Sequence, residues 1–182
     1  MALPSTSALL DPNAALAKAG LRADQTIADL GCGTIGHFVF PAAKIVGPHG
    51  RVLAVDILKG VLAGVASRAK LEGMGNLETI WGDCEVPGGT KIPDGACDVT
   101  LVVNNMYQSK NRVAFLREAA RITKPGGRVL VIDWKQAATP IGPPSASRVA
   151  SETVKNEALG VGLKIVEVYE PAQYFWGLLF TK

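Results

Sequence analysis

The sequence predicts an α/β fold in which a mostly parallel sheet carries helices on both faces and finishes in an antiparallel hairpin. Three observations carry that prediction. Short apolar runs alternate with helix-like stretches along almost the whole chain, as strands joined by crossover helices require. The run Arg51-Val52-Leu53-Ala54-Val55-Asp56 is apolar on consecutive residues, which suits a parallel strand buried on both faces. Two final apolar runs are separated only by Glu170-Pro171-Ala172-Gln173, a hairpin-length connection. With 182 residues, 48% hydrophobic and 19% charged at a net charge of +3, the chain has the composition of one globular domain.

Each element has a local reason. Asp11 before Pro12 is a helix cap followed by proline at the first helical position, and Gly20 closes the short helix. Thr26 to Leu30 reads as a buried strand running into a glycine turn. A helix over 36–46 stops at Gly47-Pro48, the second strand is Arg51 to Asp56, and a helix over 58–72 stops at Gly73. Leu77 to Trp81 is the third strand, and the Gly- and Pro-rich stretch 84–95 is loop. Cys97 to Val103 and Arg128 to Asp133 are the next strands, separated by a helix over 111–123 and the turn Pro125-Gly126-Gly127. Thr139-Pro140-Ile141-Gly142-Pro143-Pro144 is a stiff loop that can be neither helix nor central strand. A helix over 147–159 leads to the strands Leu163 to Tyr169 and Tyr174 to Thr181. Tyr169, Tyr174, Phe175, Trp176 and Phe180 gather on that hairpin and are expected to close one end of the core.

Several function classes are disfavoured. Asp56 and Lys59 interrupt the longest apolar stretch, so no membrane span is expected, and the first ten residues lack the Lys or Arg of a secretory leader. Cys32, Cys84 and Cys97 are odd in number and form no C-x-x-C pair, and the chain has only two histidines, His37 and His49. No metal site is therefore expected, and three free thiols place the protein in a reducing, cytoplasmic compartment.

The sharpest motif is Asp29-Leu30-Gly31-Cys32-Gly33-Thr34-Ile35-Gly36, with Asp56 ending the next strand. Its glycine spacing is that of a dinucleotide-binding turn, in which backbone amides at a helix N-terminus receive a pyrophosphate. Asp29 opposes that ligand, because it adds a carboxylate where a diphosphate would concentrate negative charge. A nucleoside with a cationic, amino-acid-like tail suits the turn better, and S-adenosylmethionine has that chemistry.

Here the sequence resembles the class I S-adenosylmethionine-dependent methyltransferases. Asp29-x-Gly31-x-Gly33 with Asp56 looks like the first two cofactor motifs, and Trp81-Gly82-Asp83-Cys84 resembles the acidic turn after the third strand. Cys97-Asp98-Val99 through Asn104-Asn105 and Thr123-Lys124-Pro125-Gly126-Gly127-Arg128 resemble the fourth-strand motif and the turn before the fifth. The likeness covers nearly the whole chain and is closest to the small group similar to ubiquinone/menaquinone-biosynthesis C-methyltransferases. It implies a Rossmann-like seven-stranded sheet of order 3-2-1-4-5-7-6, strand 7 antiparallel, in a single domain over 1–182. Residues 1–22 would be an N-terminal helical segment and 23–182 the catalytic core.

The resemblance also implies roles. Asp29 would hold the methionine ammonium, with Gly31, Cys32 and Gly33 forming the turn beneath it. Asp56 would accept the ribose hydroxyls, with Ile57 beside it, and Gly82, Asp83 and Cys84 would meet the adenine. Asn104 would touch the methionine end. Tyr107 and Asp133, with His37, are the candidate proton-transfer groups, although methyl transfer can proceed by positioning and desolvation alone. Ile35 stands where the family usually has glycine, so it must keep an ordinary backbone conformation.

The expected function is methyl transfer from S-adenosylmethionine to a small-molecule acceptor, leaving S-adenosylhomocysteine. The alternatives are the same chemistry on RNA or protein, an NAD-dependent oxidoreductase, a metalloid methyltransferase using the three thiols, and a nucleoside-binding module without turnover. Asn104-Asn105-Met106-Tyr107 lacks both prolines of the amino-methylating enzymes, which lowers a nucleic-acid base or glutamine acceptor. Lys110, Arg117, Arg121 and Lys124 recur at helical spacing, a stripe that reads as a solvated face before it reads as an RNA site.

Overall fold

The computed structural model describes residues 9–182, so the first eight positions of the expected N-terminal segment lie outside the described residues. The strands are β1 (Thr26–Leu30), β2 (Arg51–Asp56), β3 (Leu77–Trp81), β4 (Cys97–Val103), β5 (Thr123–Trp134), β6 (Lys164–Ala172) and β7 (Phe175–Thr181). The helices are α1 (Pro12–Ala19), α2 (Val39–Val46), α3 (Lys59–Leu71), α4 (Arg112–Ile122) and α5 (Ser151–Gly160). The seven strands form one sheet in the order β3-β2-β1-β4-β5-β7-β6. Strands β1 to β5 pair in parallel, and β7 runs antiparallel to both of its neighbours. Order and strand directions are those the sequence led us to expect.

Alternation along the buried strands splits the core into two layers. Ile27, Leu101, Leu130 and Ile132 face α1, α2 and α3, with Leu16, Val39, Val46 and Val65 packed against them. Leu30, Val55, Val102, Val129 and Val131 face the opposite layer, where α4 and α5 contribute Leu116, Ala119, Ile122, Val154 and Ala158. The hairpin aromatics serve both layers. Phe175 lies in the first and Trp176 and Phe180 in the second, so they do more than close one end.

Four boundaries differ from expectation. Helix α2 starts at Val39, because Gly36 takes a positive φ of +57° and the preceding residues form turns. Helix α5 starts at Ser151, after a single 3-10 turn at Ser145–Ser147. The turn at Pro125-Gly126-Gly127 lies inside β5. Cys97 pairs with Thr123 and Val99 with Arg128, so the residues between are bulged out around Gly126 at φ +76°. The final connection is shorter than expected, since β6 continues to Ala172 and β7 begins at Phe175.

The basic residues do not form one stripe. Lys110 and Lys124 fall outside α4, and Lys124 pairs with Asp98 at 2.7 Å. Arg121 pairs with Glu118 at 2.7 Å and also binds Asp94. Among the described residues, no helix is long and apolar enough to cross a membrane.

Candidate functional site

The sheet reverses direction of growth between β1 and β4, and the loops after β1, β2, β3 and β4 meet over that switch point. Asp29 sits inside β1, paired in register with Ala54 of β2 and Leu101 of β4, and is 3% exposed. Its Oδ2 is buried with no hydrogen-bond partner among the described residues. Burial, and then the neighbouring charge of Asp56, push its carboxyl up to about 7. Asn104, just past β4, carries a second buried oxygen without a partner among the described residues and takes a positive φ of 58°. The Asn104 oxygen is an acceptor, as is the Asp29 oxygen once ionised, so what completes them together is a donor.

The glycine turn is arranged unlike a phosphate cradle. The amides of Gly31 and Cys32 donate to the Val55 carbonyl at 2.8 and 3.0 Å, and the Gly33 amide donates to Asp56 Oδ2 at 3.2 Å. Helix α2 opens only at Val39. Three loop amides are thus committed to protein acceptors and no helix N-terminus abuts them, which removes the two devices that hold a pyrophosphate. Gly31 (φ +74°) and Gly33 (φ +69°) are both left-handed. A Cβ on Gly31 would strike the Asn105 amide, whereas one on Gly33 would meet open space. Ile35 is absent from the positive-φ residues, and Gly36 takes that conformation instead.

Two cavities share the floor Gly31, Gly33, Thr34, Asn105 and Gln108. The first, about 360 Å³, has Asp29, Asn104, Leu10, His37 and Phe38 on its walls. The second, about 550 Å³, has Asp56, Ile57, Asp83, Cys84 and Phe115. Four carboxylates, Asp29, Asp56, Asp83 and Glu85, face a single Lys or Arg, Lys110, among the described residues of the two linings. The combined site therefore favours a ligand with cationic and hydroxyl groups over a polyanion.

The acidic rim is braced from behind. Asp56 Oδ1 accepts from Leu58 N at 2.9 Å, and Asp83 Oδ1 accepts from Glu85 N at 2.8 Å. The turn holding Asp83 is tied to α4 by Glu118, which is 1% exposed and accepts from Gly88 N, Thr90 N, Thr90 Oγ1 and Arg121. Burial alone would raise the Glu118 carboxyl, but Arg121, Thr90 and Gly88 outweigh it and hold it at about 2. Gly82 is required because a Cβ there would collide with the backbone of Gly89 and Thr90.

Residues 21–171 match the family model described as a methyltransferase domain. The chain belongs to the methyltransferase-domain family. It is 31% identical over 116 residues to a demethylmenaquinone methyltransferase of Lactococcus lactis, covering 64% of this chain and 44% of the relative. It is 29% identical over 125 residues to the ubiquinone/menaquinone biosynthesis C-methyltransferase UbiE of Hahella chejuensis, covering 68% of this chain and 49% of that protein. The chain thus spans about half the length of the curated relatives it matches. A SAM-dependent methyltransferase structure from Aquifex aeolicus superposes with a TM-score of 0.88 at 26% identity, covering 98% of this chain and 93% of that one.

The methyltransferase domain places two of the three expected proton-transfer groups, Asp133 and Tyr107, apart from the cavities. Asp133 is 0% exposed, its Oδ2 accepting from Met106 N at 2.8 Å and Tyr107 N at 3.2 Å and its Oδ1 from Trp134 N at 2.7 Å. Burial pushes its carboxyl up to about 6, with those amides pulling the other way. Tyr107 is half-buried against the first core layer, and burial and then Asp133 raise its phenol. Neither residue lines either cavity, whereas His37 lines the first. The three thiols are free and buried, and burial raises each of them, Cys97 to about 12. Thiolates for a metalloid are thereby disfavoured.

The sequence does not single out Gln108 and Arg148, and it marks Asn105 only as part of the fourth-strand motif, with no role of its own. Asn105 Nδ2 donates to the carbonyls of Leu30, Gly31 and Val103 at 3.0, 3.3 and 2.8 Å, locking the end of β4 to the glycine turn. Gln108 lines both cavities and donates to the Asn104 carbonyl at 3.1 Å. Arg148 is 5% exposed and fastens the loop after Trp134 through the carbonyls of Lys135, Ala137, Ile141 and Pro143 and the Thr139 hydroxyl.

Proposed function

We propose that this protein is an S-adenosylmethionine-dependent methyltransferase acting on a small-molecule acceptor in the cytoplasm, with residues 23–182 as its catalytic core. The observation that carries the reading is the buried, unpartnered Asp29 oxygen beside a glycine turn whose amides are already spent. A cationic amino-acid tail satisfies that oxygen and a diphosphate does not, so the geometry supports S-adenosylmethionine over NAD.

When bound, S-adenosylmethionine supplies a methyl group activated on a sulfonium and leaves as S-adenosylhomocysteine. In this reading Asp29 and Asn104 hold the amino-acid end. Asp56 keeps a lone pair on each oxygen beyond its bonds to Gly33 and Leu58, enough for two ribose hydroxyls. Asp83, whose second oxygen is not used by Glu85, meets the adenine amino group beside the Cys84 amide, with Ile57 and Phe115 offering apolar surface. Asp133 is a positioning residue, fixing Met106 and Tyr107 after β4. The ion pairs of Arg121 and Lys124 engage two of the four basic residues expected of an RNA stripe, and the quinone methyltransferase relatives support a small apolar acceptor. Transfer of a radiolabelled methyl group from S-adenosylmethionine into solvent-extractable acceptors tests the reading. Label found only in RNA or protein would overturn the acceptor class.

A further inference from the structure

We propose that His37 is the proton acceptor of the methyl-transfer site, its Nδ1 receiving the proton of a neutral acceptor that carries a hydroxyl on an apolar body. The proposal rests on the methyltransferase reading above and deepens it. His37 Nε2 lies 2.7 Å from the carbonyl oxygen of Leu10. A carbonyl only accepts, so Nε2 carries the hydrogen, and in the neutral imidazole Nδ1 is left with a lone pair.

The ring is held from two sides. Leu10 is 3% exposed and precedes the Asp11 cap of α1, which fixes the accepting carbonyl. Phe38 meets the imidazole edge-on, with centroids 5.0 Å apart at an interplanar angle of 82°. Nδ1 has no hydrogen-bond partner among the described residues, since the ring's only bond is the one to Leu10. His37 lines the cavity that also holds Asp29 and Asn104, and Leu10, Ile35 and Phe38 give that cavity an apolar wall. A base of fixed tautomer thus stands beside the place where the methyl donor's amino-acid end would lie. Tyr107 and Asp133 do not line that cavity, and both Asp133 oxygens are occupied by backbone amides.

The step balances without a further reagent. The acceptor's O–H proton passes to Nδ1 and gives an imidazolium. The oxygen's electron pair forms the new O–C bond as the donor's S–C bond breaks, its electrons returning to sulfur as a neutral thioether. A hydroxyl acceptor is the class that needs such a base, because its proton must leave as the new O–C bond forms.

The test uses the full chain labelled with nitrogen-15 at histidine, in saturating S-adenosylhomocysteine and slightly above neutral pH, with 4-cresol, whose hydroxyl stays protonated there, as the probe. Long-range nitrogen–proton spectra are expected to show His37 as the Nε2–H tautomer. Added 4-cresol should move the His37 Nδ1 resonance and leave His49 unmoved. In H37F the probe should bind roughly fivefold more weakly or worse, the loss of about one hydrogen bond. An Nδ1–H tautomer overturns the proposal, as does an Nδ1 resonance that 4-cresol does not move while S-adenosylhomocysteine is bound. Failure of S-adenosylhomocysteine itself to bind refutes the underlying reading and the proposal with it. The wild-type spectra decide the matter even if H37F does not fold.

Discussion

Asp56 Oδ2 accepts the backbone amide of Gly33 at 3.2 Å, so the carboxylate that ends β2 also shapes the glycine turn that ends β1. One residue therefore links the two cavities. Asp56→Ala should lose both the ligand contact and the turn's anchor, weakening S-adenosylhomocysteine at least about tenfold, as expected for charge-assisted bonds. Asp56→Asn, which keeps acceptor oxygen on one side only, should fall between. Calorimetric titration of the two variants checks the ranking.

Asp29 makes cofactor affinity depend on pH. Its carboxyl is held up at about 7, so the free protein carries a proton there below that pH. A cationic tail favours the ionised form, hence binding should release a proton and weaken as pH falls below 7. Titrations in buffers of different ionisation enthalpy report that proton, and Asp29→Asn should abolish it.

The same group bears on stability with the opposite preference. Its folded pKa lies above the ordinary carboxylate range, so the native state holds the proton longer and stability falls as pH rises through 4 to 7. Asp29→Asn in the ligand-free protein should therefore melt higher than wild type above pH 7. Melting curves across that range measure it.

The two turn glycines should fail differently. Both need a left-handed backbone, at a cost of about 1–3 kcal/mol for alanine. Gly31→Ala must also displace Asn105, whereas Gly33→Ala meets only open space within the cavity floor. Urea denaturation should show Gly31→Ala the less stable, and Gly33→Ala should lose affinity more than stability.

Arg148 carries the loop after β5. Arg148→Met leaves the carbonyls of Lys135, Ala137, Ile141 and Pro143 without their donor, costing about 2–4 kcal/mol. Lysine cannot reproduce the planar fork that reaches them together, so Arg148→Lys should rescue little. Limited proteolysis within 137–144 should accelerate in both variants.

The strands were legible because their apolar runs end abruptly at Asp, Gly or Pro, as in Thr26–Leu30 and Arg51–Asp56. Helix α2 was misplaced because glycine spacing does not reveal which glycine is left-handed, and Gly36 delays the helix to Val39. The spacing of Lys110, Arg117, Arg121 and Lys124 read as a helix face although two of them lie beyond the helix ends. Arg148 left no signal, and Asn105 showed only as the end of a motif, since their partners are backbone carbonyls, which every residue type supplies. For Asn105 the carbonyl belongs to Leu30, 75 residues away. The carboxylates Asp29 and Asp56 stood out in the sequence because they interrupt the apolar runs of β1 and β2, and Asp83 because it follows the third such run.

The central claim is that the turn after β1 takes a cationic nucleoside and refuses a dinucleotide. Parallel calorimetric titrations of the full chain with S-adenosylmethionine and with NAD test it most directly. Saturable one-to-one binding of S-adenosylmethionine, lost in Asp56→Ala, with no heat from NAD is the expected result. Saturable binding of NAD, or no binding of S-adenosylmethionine to the wild type, would contradict it.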